Sequence, residues 1–296
     1  MTLILDGKLV SKQIREEVAE DVQLLIKQGV TPKLTVVLVG DDAASQIYVK
    51  SKERACAKAG IISETIKYPS DVPKQKVVDK IKQLNNDNSV HGILVQLPLP
   101  EGFNESEIIE LIAPEKDVDG FHPINSGRLT LGVNDDYFVP ATPAGIIEIL
   151  KRYKIDIPGK HVVIVGRSSI VGKPAGMLFL RHGNEGDATV TFCHSKTKNL
   201  PDITKTADIL VAATGKPKMI TADMVKPGVV VIDVGINRIP SKYSEKGYEI
   251  VGDVDFYEVS KLASAITPVP GGIGPMTIAM LLKNTLRAVN ISEKKE

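Results

Sequence analysis

The stretch His161-Val162-Val163-Ile164-Val165-Gly166-Arg167-Ser168-Ser169-Ile170-Val171-Gly172-Lys173-Pro174 decides the fold. Its apolar run is continuous rather than alternating, as in a strand buried on both faces of a parallel sheet. The strand is expected to end at Gly166, with a helix opening after Gly172. Glycines at such a turn let the backbone approach a diphosphate, whose charge the helix N-terminus stabilises. The spacing is not Gly-x-Gly-x-x-Gly, and five residues separate the glycines where a nucleoside triphosphate loop has four. Pro174 stands where that loop needs a hydroxyl for magnesium, which disfavours ATP or GTP hydrolysis. Taken alone, the turn suits a ligand-free strand-to-helix junction as well as a dinucleotide site.

Similar apolar runs lie on either side: Leu34 to Val39, Gly92 to Leu97, Thr189 to Phe192, Ile209 to Ala212 and Val229 to Val234. Amphipathic stretches separate them, which is the pattern of a parallel α/β sheet. Ile14, Val18, Val22 and Leu25 share one helix face, with Gly29 as its C-cap. Val77, Ile81 and Leu84 make a second stripe. Thr142 and Pro143 suit the N-cap and first position of a helix holding Ile146, Ile147 and Leu150. Ile278, Leu281, Leu282 and Thr285 share a face of a last helix begun by Gly274-Pro275. The stretch from Asp117 to Pro143 is rich in Gly, Pro, Asn and Asp, and it marks the main junction. The expectation is therefore two α/β domains, residues 1–141 and 142–274, the second a Rossmann-like dinucleotide-binding domain. A length of 296 residues agrees, at roughly 150 per domain.

Composition excludes several classes. Lys and Arg total 37 against 36 Asp and Glu, a net charge of +1, so neither nucleic acid nor a membrane surface is an expected partner. The two cysteines, Cys56 and Cys193, have no metal or disulfide spacing and read as small buried side chains. No metal site is expected. The opening apolar run is too short for a signal peptide, and no stretch approaches a membrane span. A cytoplasmic setting is expected.

NAD sites carry an acidic residue about 20 positions after the glycines. Here the strand ending at Cys193 leads into His194-Ser195-Lys196-Thr197, without a carboxylate. Hydroxyls and a cation suit a 2′-phosphate, and Arg167 can add a second cation, so NADP is expected. Lys196 and Thr197 also read simply as a solvated turn. Earlier in the chain, Tyr48 and Lys52 lie four apart, on one face of a helix. Each is, by itself, an ordinary packing tyrosine and an ordinary solvated lysine. Gln96 interrupts an apolar run, where a strand end can deliver a functional group. Asp119 precedes a glycine, as turn residues do. Thr267 to Thr277 mixes three prolines with three glycines before the last helix and suggests a shaped binding loop.

Together the motifs Tyr48 to Lys52, Val95 to Pro100, Lys116 to Phe121, Gly166 to Pro174 and Pro268 to Thr277 resemble the methylenetetrahydrofolate dehydrogenase/cyclohydrolase family. The resemblance runs from Leu5-Asp6-Gly7 to Leu282. It implies oxidation of 5,10-methylenetetrahydrofolate by NADP, then hydrolysis of the methenyl cation to 10-formyltetrahydrofolate, within one-carbon metabolism. It makes Lys52 the catalytic acid/base, oriented by Gln96, with Tyr48 packed on the folate. Asp119 would accept hydrogen bonds from the pterin, and Pro270, Gly271 and Gly274 would line the folate site. Gly166, Arg167, Ser168 and Ser195 would hold NADP, with Ile236 beside the nicotinamide. It also implies a homodimer, a helix 275–296 returning to the first domain, and a cleft between domains. The hairpin from Pro240 to Val251, turning at Lys246-Gly247, is a candidate to reach a partner. A dehydrogenase without hydrolysis would not need Lys52 with Gln96. A non-catalytic NADP sensor would not need Tyr48, Lys52, Gln96 and Asp119 together. Formate ligation would need a further domain and a P-loop.

Overall fold

The computed structural model describes residues 1–132, 136–244 and 247–293. In chain order its elements are β1 (Leu3–Ile4), α1 (Gly7–Lys27), β2 (Lys33–Val39), α2 (Ala43–Ala59), β3 (Ile62–Tyr68), α3 (Lys74–Asn85), β4 (Gly92–Val95), α4 (Glu105–Glu110), α5 (Pro123–Leu131) and α6 (Ala141–Arg152). They continue as β5 (His161–Val165), α7 (Gly172–Leu180), β6 (Thr189–Cys193), α8 (Leu200–Thr204), β7 (Ile209–Ala212), β8 (Val230–Asp233), β9 (Asn237–Pro240), β10 (Tyr248–Val251), α9 (Phe256–Ser260), β11 (Ala265–Ile266) and α10 (Ile273–Glu293). The chain divides into two compact units, Met1–Ser11 with Thr142–Thr277, and Lys12–Ala141 with Ile278–Glu296.

The 12–141 unit is built on a parallel three-stranded sheet ordered β3-β2-β4. The central strand β2 is buried along nearly its whole length, as its apolar run requires. The edge strand β3 reads Ile-Ser-Glu-Thr-Ile-Lys-Tyr and leaves Ile62, Glu64 and Lys67 exposed. It has no apolar run for a sequence reading to find. It nevertheless pairs with β2 from Lys33↔Ile62 to Val39↔Tyr68. Val77, Ile81 and Leu84 of α3 pack with Val37, Val39, Ile93 and Val95 in one core. Ile14, Val18, Val22 and Leu25 are buried along α1. The α10 residues Leu281, Leu282, Asn284 and Thr285 are buried as well. β4 stops at Val95, two residues before the expected end, so Gln96 and Leu97 lie in the turn that follows it.

The 142–277 unit carries a parallel six-stranded sheet ordered β1-β11-β8-β7-β5-β6. The order reverses at β5, whose neighbours are β6 on one side and β7 on the other. Such a switch point opens a crevice beyond the carboxyl ends of the strands. β1 completes the far edge by pairing Leu3 with Ala265. Met1–Ser11 therefore group with this unit, whereas the sequence placed them with residues 12–141. A two-residue strand offers no period to read, and its neighbour is more than 250 positions away. Gly7 makes the attachment close, because a Cβ there would lie 1.7 Å from Gly272 O. Helix α6 begins at Ala141, so Thr142 and Pro143 fall in its first turn instead of Thr142 capping it. Helix α10 likewise begins at Ile273, one residue before Gly274. β9 and β10 form the antiparallel hairpin, paired from Asn237↔Val251 to Pro240↔Tyr248, and Lys246 of its turn lies outside the described residues. No helix of the described residues is long and apolar enough to cross a membrane.

Candidate active site

In the 12–141 unit the chemistry gathers where α2 faces the end of β4. Asp42 caps α2 by accepting a hydrogen bond from Ser45 N, and Gly60 closes it in the left-handed conformation. Tyr48 and Lys52 thus sit one turn apart on a helix defined at both ends. Lys52 Nζ donates to Gln96 Oε1 at 3.1 Å. Gln96 Nε2 donates to Leu97 O at 2.7 Å, which turns the amide oxygen toward the lysine. Gln96 N is itself held by Val37 O, so the amide rests on the sheet. Tyr48 keeps 47% of its surface exposed, a large aromatic face left open to solvent. Cys56, one turn past Lys52, is buried, and burial pushes its thiol up to about 11. Cys193 is buried too.

Asp119 approaches the same lysine from the loop after β4. That loop is anchored by Ile93 N donating to Lys116 O and by the buried Asp117, which accepts from His122 N and Asn125 Nδ2. Asn284 of α10 donates to both Val118 O and Val139 O. Gly120 has φ +71, and a Cβ there would meet Pro140 N at 2.8 Å, so the turn after Asp119 needs glycine. Burial pushes the Asp119 carboxyl up to about 6, against the pull of the Lys52 charge, and Asp117 pushes it the same way. The folded chain therefore holds this proton more tightly than the unfolded chain. Ionising Asp119 costs stability above about pH 6, and the cost fades as pH falls toward ~4. Asp119→Asn is expected to raise the melting temperature most near pH ~7.5 and clearly less near pH ~5, where part of the cost has already gone. A thermal melt at both values checks this, and an equal change at both would contradict it.

In the 142–277 unit the loop between β5 and α7 is closed by its glycines. Gly166 has φ +139, and a Cβ there would lie 2.2 Å from Ala213 O. A Cβ on Gly172 would meet Gly166 O at 2.3 Å. Ser168 Oγ accepts from Val171 N and Gly172 N, so its hydroxyl shapes the loop. Arg167 is exposed. Beyond the ends of β5, β6 and β7 lies a cavity of about 230 Å³, which Gly166, Arg167, His194, Ser195, Thr214 and Lys216 help to line. Its lining has two cations, two hydroxyls and an imidazole, with no carboxylate. That donor set fits a phosphorylated dinucleotide and lacks the carboxylate that NAD sites aim at the ribose hydroxyls. Thr197 Oγ1 accepts from His194 N, so Thr197 serves the turn that presents Ser195.

Ile236 is 54% exposed and follows a network of buried carboxylates. Asp233 accepts from Gly235 N, Asp253 N and Val254 N, and burial pushes it up to about 6. Asp253 accepts from Thr214 N, Gly215 N and Asn237 Nδ2. A Cβ on Gly274 would meet Ile236 Cδ1 at 3.5 Å, so these two are neighbours. Pro270, Gly271 and Gly274 lie in this unit too, where Lys8 N donates to Gly271 O and Ser11 Oγ to Pro275 O.

Sequence reasoning missed Lys216, Asp253, Asn284 and Gly176. A Cβ on Gly176 would lie 2.1 Å from the Phe192 ring, so this glycine lets α7 pack closely on β6. The signal was present as a third glycine four residues after Gly172. Asp253 carries no local signal, since its partners are 38 and 39 residues away.

The catalytic-domain model of the tetrahydrofolate dehydrogenase/cyclohydrolase family matches residues 5–119, and the model of that family's NAD(P)-binding domain matches residues 140–293. The bifunctional protein FolD of Chlorobium phaeobacteroides is 54% identical over 286 residues, covering 96% of this chain and 97% of its own. A crystal structure of the bifunctional FolD methylenetetrahydrofolate dehydrogenase/cyclohydrolase from Campylobacter jejuni superposes with a TM-score of 0.92 at 49% identity, over 100% of both chains. The Trypanosoma brucei dehydrogenase-cyclohydrolase, solved with NADP cofactor and inhibitor, gives 0.91 at 37% identity, over 99% of this chain and 98% of its own. With both domain models matched in order and relatives above half identity over nearly full length, the chain belongs to the tetrahydrofolate dehydrogenase/cyclohydrolase family.

Proposed function

We propose that this chain oxidises 5,10-methylenetetrahydrofolate with NADP and then hydrolyses the 5,10-methenyl product to 10-formyltetrahydrofolate. The observation that carries the reading is the Lys52–Gln96 pair, 3.1 Å apart, on a unit that also presents Tyr48 and Asp119. Once the incoming methenyl cation has disfavoured the ammonium form, the neutral Lys52 amine accepts the proton of the water that attacks the methenyl carbon. Gln96 fixes the amine through an oxygen whose direction Leu97 O enforces. A carboxylate in its place would favour the ammonium form, whereas an amide orients without adding charge. Tyr48 offers its exposed ring as a platform for the folate. Asp119, poised near pH 6, accepts hydrogen bonds from the pterin N–H and amino groups. Pro270, Gly271 and Gly274 are assigned to folate binding on the family resemblance. Gly166, Arg167, Ser168 and Ser195 hold NADP, with Ile236 beside its nicotinamide. When bound, NADP supplies the hydride acceptor. A homodimer in the cytoplasm completes the reading, and a monomer mass in sedimentation at every concentration would reject the dimer.

The test is an assay of both steps with NADP and with NAD. NADPH should appear with methylenetetrahydrofolate, and purified methenyltetrahydrofolate should be consumed without any nicotinamide. Arg167→Ala should weaken NADP at least about tenfold and NAD little, as loss of a charge-assisted phosphate contact does. Equal losses for the two cofactors would show that Arg167 does not read the 2′-phosphate.

A further inference from the structure

We propose that Lys216 is a phosphate-binding residue of the cofactor cavity, an inference that rests on the NADP reading above. The lysine lines the same cavity as Arg167, His194 and Ser195, but from the opposite neighbour of β5, just beyond the end of β7. Its position is built rather than incidental. The Asp253 carboxylate, fully buried, accepts from Thr214 N and Gly215 N at 2.5 and 2.9 Å. Asn237 Nδ2 holds the other carboxylate oxygen at 2.8 Å. Gly215 takes φ +67, and Lys216 N then donates to Thr214 Oγ1 at 3.2 Å. A buried carboxyl group thus fixes the turn that brings this lysine to the cavity.

The charge balance of the cavity points to an anion. Neither Lys216 Nζ nor the Arg167 guanidinium has a hydrogen-bond or ion-pair partner among the described residues. Two unpaired cations facing one cavity repel each other until an anion enters between them. The ligand chemistry is a phosphate ester of the dinucleotide, either the 2′-phosphate or the bridging diphosphate. Arg167 in the loop after β5 and Lys216 beyond the neighbouring β7 line one cavity, so an anion there meets a cation from each of two loops.

Calorimetric titration of full-length Lys216→Ala and Lys216→Arg with NADP and with NAD tests this, beside the parent. Lys216→Ala should weaken NADP about tenfold, and Lys216→Arg should stay within about threefold of the parent. An unchanged NAD affinity in Lys216→Ala would place the lysine on the 2′-phosphate. Parallel loss of NADP and NAD, restored by Arg, would place it on the diphosphate. Unchanged affinity for both cofactors overturns the inference, and so does a loss that Arg fails to restore, which would make the residue a turn former. A parent that binds no NADP would instead overturn the function proposed for the whole chain, so the two failures are separable.

Discussion

Lys52→Met is expected to abolish hydrolysis of methenyltetrahydrofolate above the buffer rate while leaving NADP binding intact. A positioned general base contributes roughly 100- to 10,000-fold, and no second base is placed on Gln96 in the described geometry. Methionine keeps the length and the apolar stem but removes the amine, so α2 and its packing survive. NADP binding should persist because its proposed residues all lie in the 142–277 unit, and a thermal melt beside the parent serves as the folding control. Dehydrogenase activity can fall through altered substrate placement, so it is not the measure. The measure is decay of purified methenyltetrahydrofolate with parent, variant and buffer. A variant as fast as the parent would return Lys52 to the status of a surface lysine.

The second large effect is expected at the glycine loop. Gly166→Ala places a methyl group 2.2 Å from Ala213 O, at a φ of +139. Backbone strain costs about 1–3 kcal/mol, and forced displacement of a packed neighbour about as much again. The loop must therefore either move or destabilise its unit, and NADP binding should be lost in both cases. Gly159→Ala is the matched control. It also has positive φ, at +73, but nothing lies within 4 Å of its Cβ position. Calorimetric unfolding should show a much larger loss for Gly166→Ala than for Gly159→Ala, and titration should show NADP affinity lost only in the former. Similar losses in both variants would remove the close approach to Ala213 as the cause.

The sheet cores were legible because strands buried on both faces leave continuous apolar runs, as in β2, β5, β7 and β8. β3 was not, because an edge strand with Glu64 and Lys67 facing water looks like a loop. β1 and β11 were not, because strands of two residues have no period. For the site, Tyr48 and Lys52 were legible through their helical spacing, and Gly166 and Gly172 through strand-to-helix punctuation. Their roles came from the resemblance of several motifs in order, since each residue has an ordinary alternative. Lys216 and Asp253 stayed hidden because their significance depends on pairings made across the fold.

The Asn284 side chain binds the backbone on either side of the long excursion from Val118 to Val139, and its own helix is the last element of the chain. At the other extreme, β1 finds its strand neighbour only at Ala265. A ribosome delivers this polypeptide in one direction, so the loop bearing Asp119 waits for its tether until about half the chain has been added after it. During that interval the earlier-made unit has its sheet but not its final buttress. Asp119 then lacks its tether while Lys52 and Gln96 already rest on the sheet, and a nascent fragment ending before Ile278 should show weakened folate binding even where its three strands have formed.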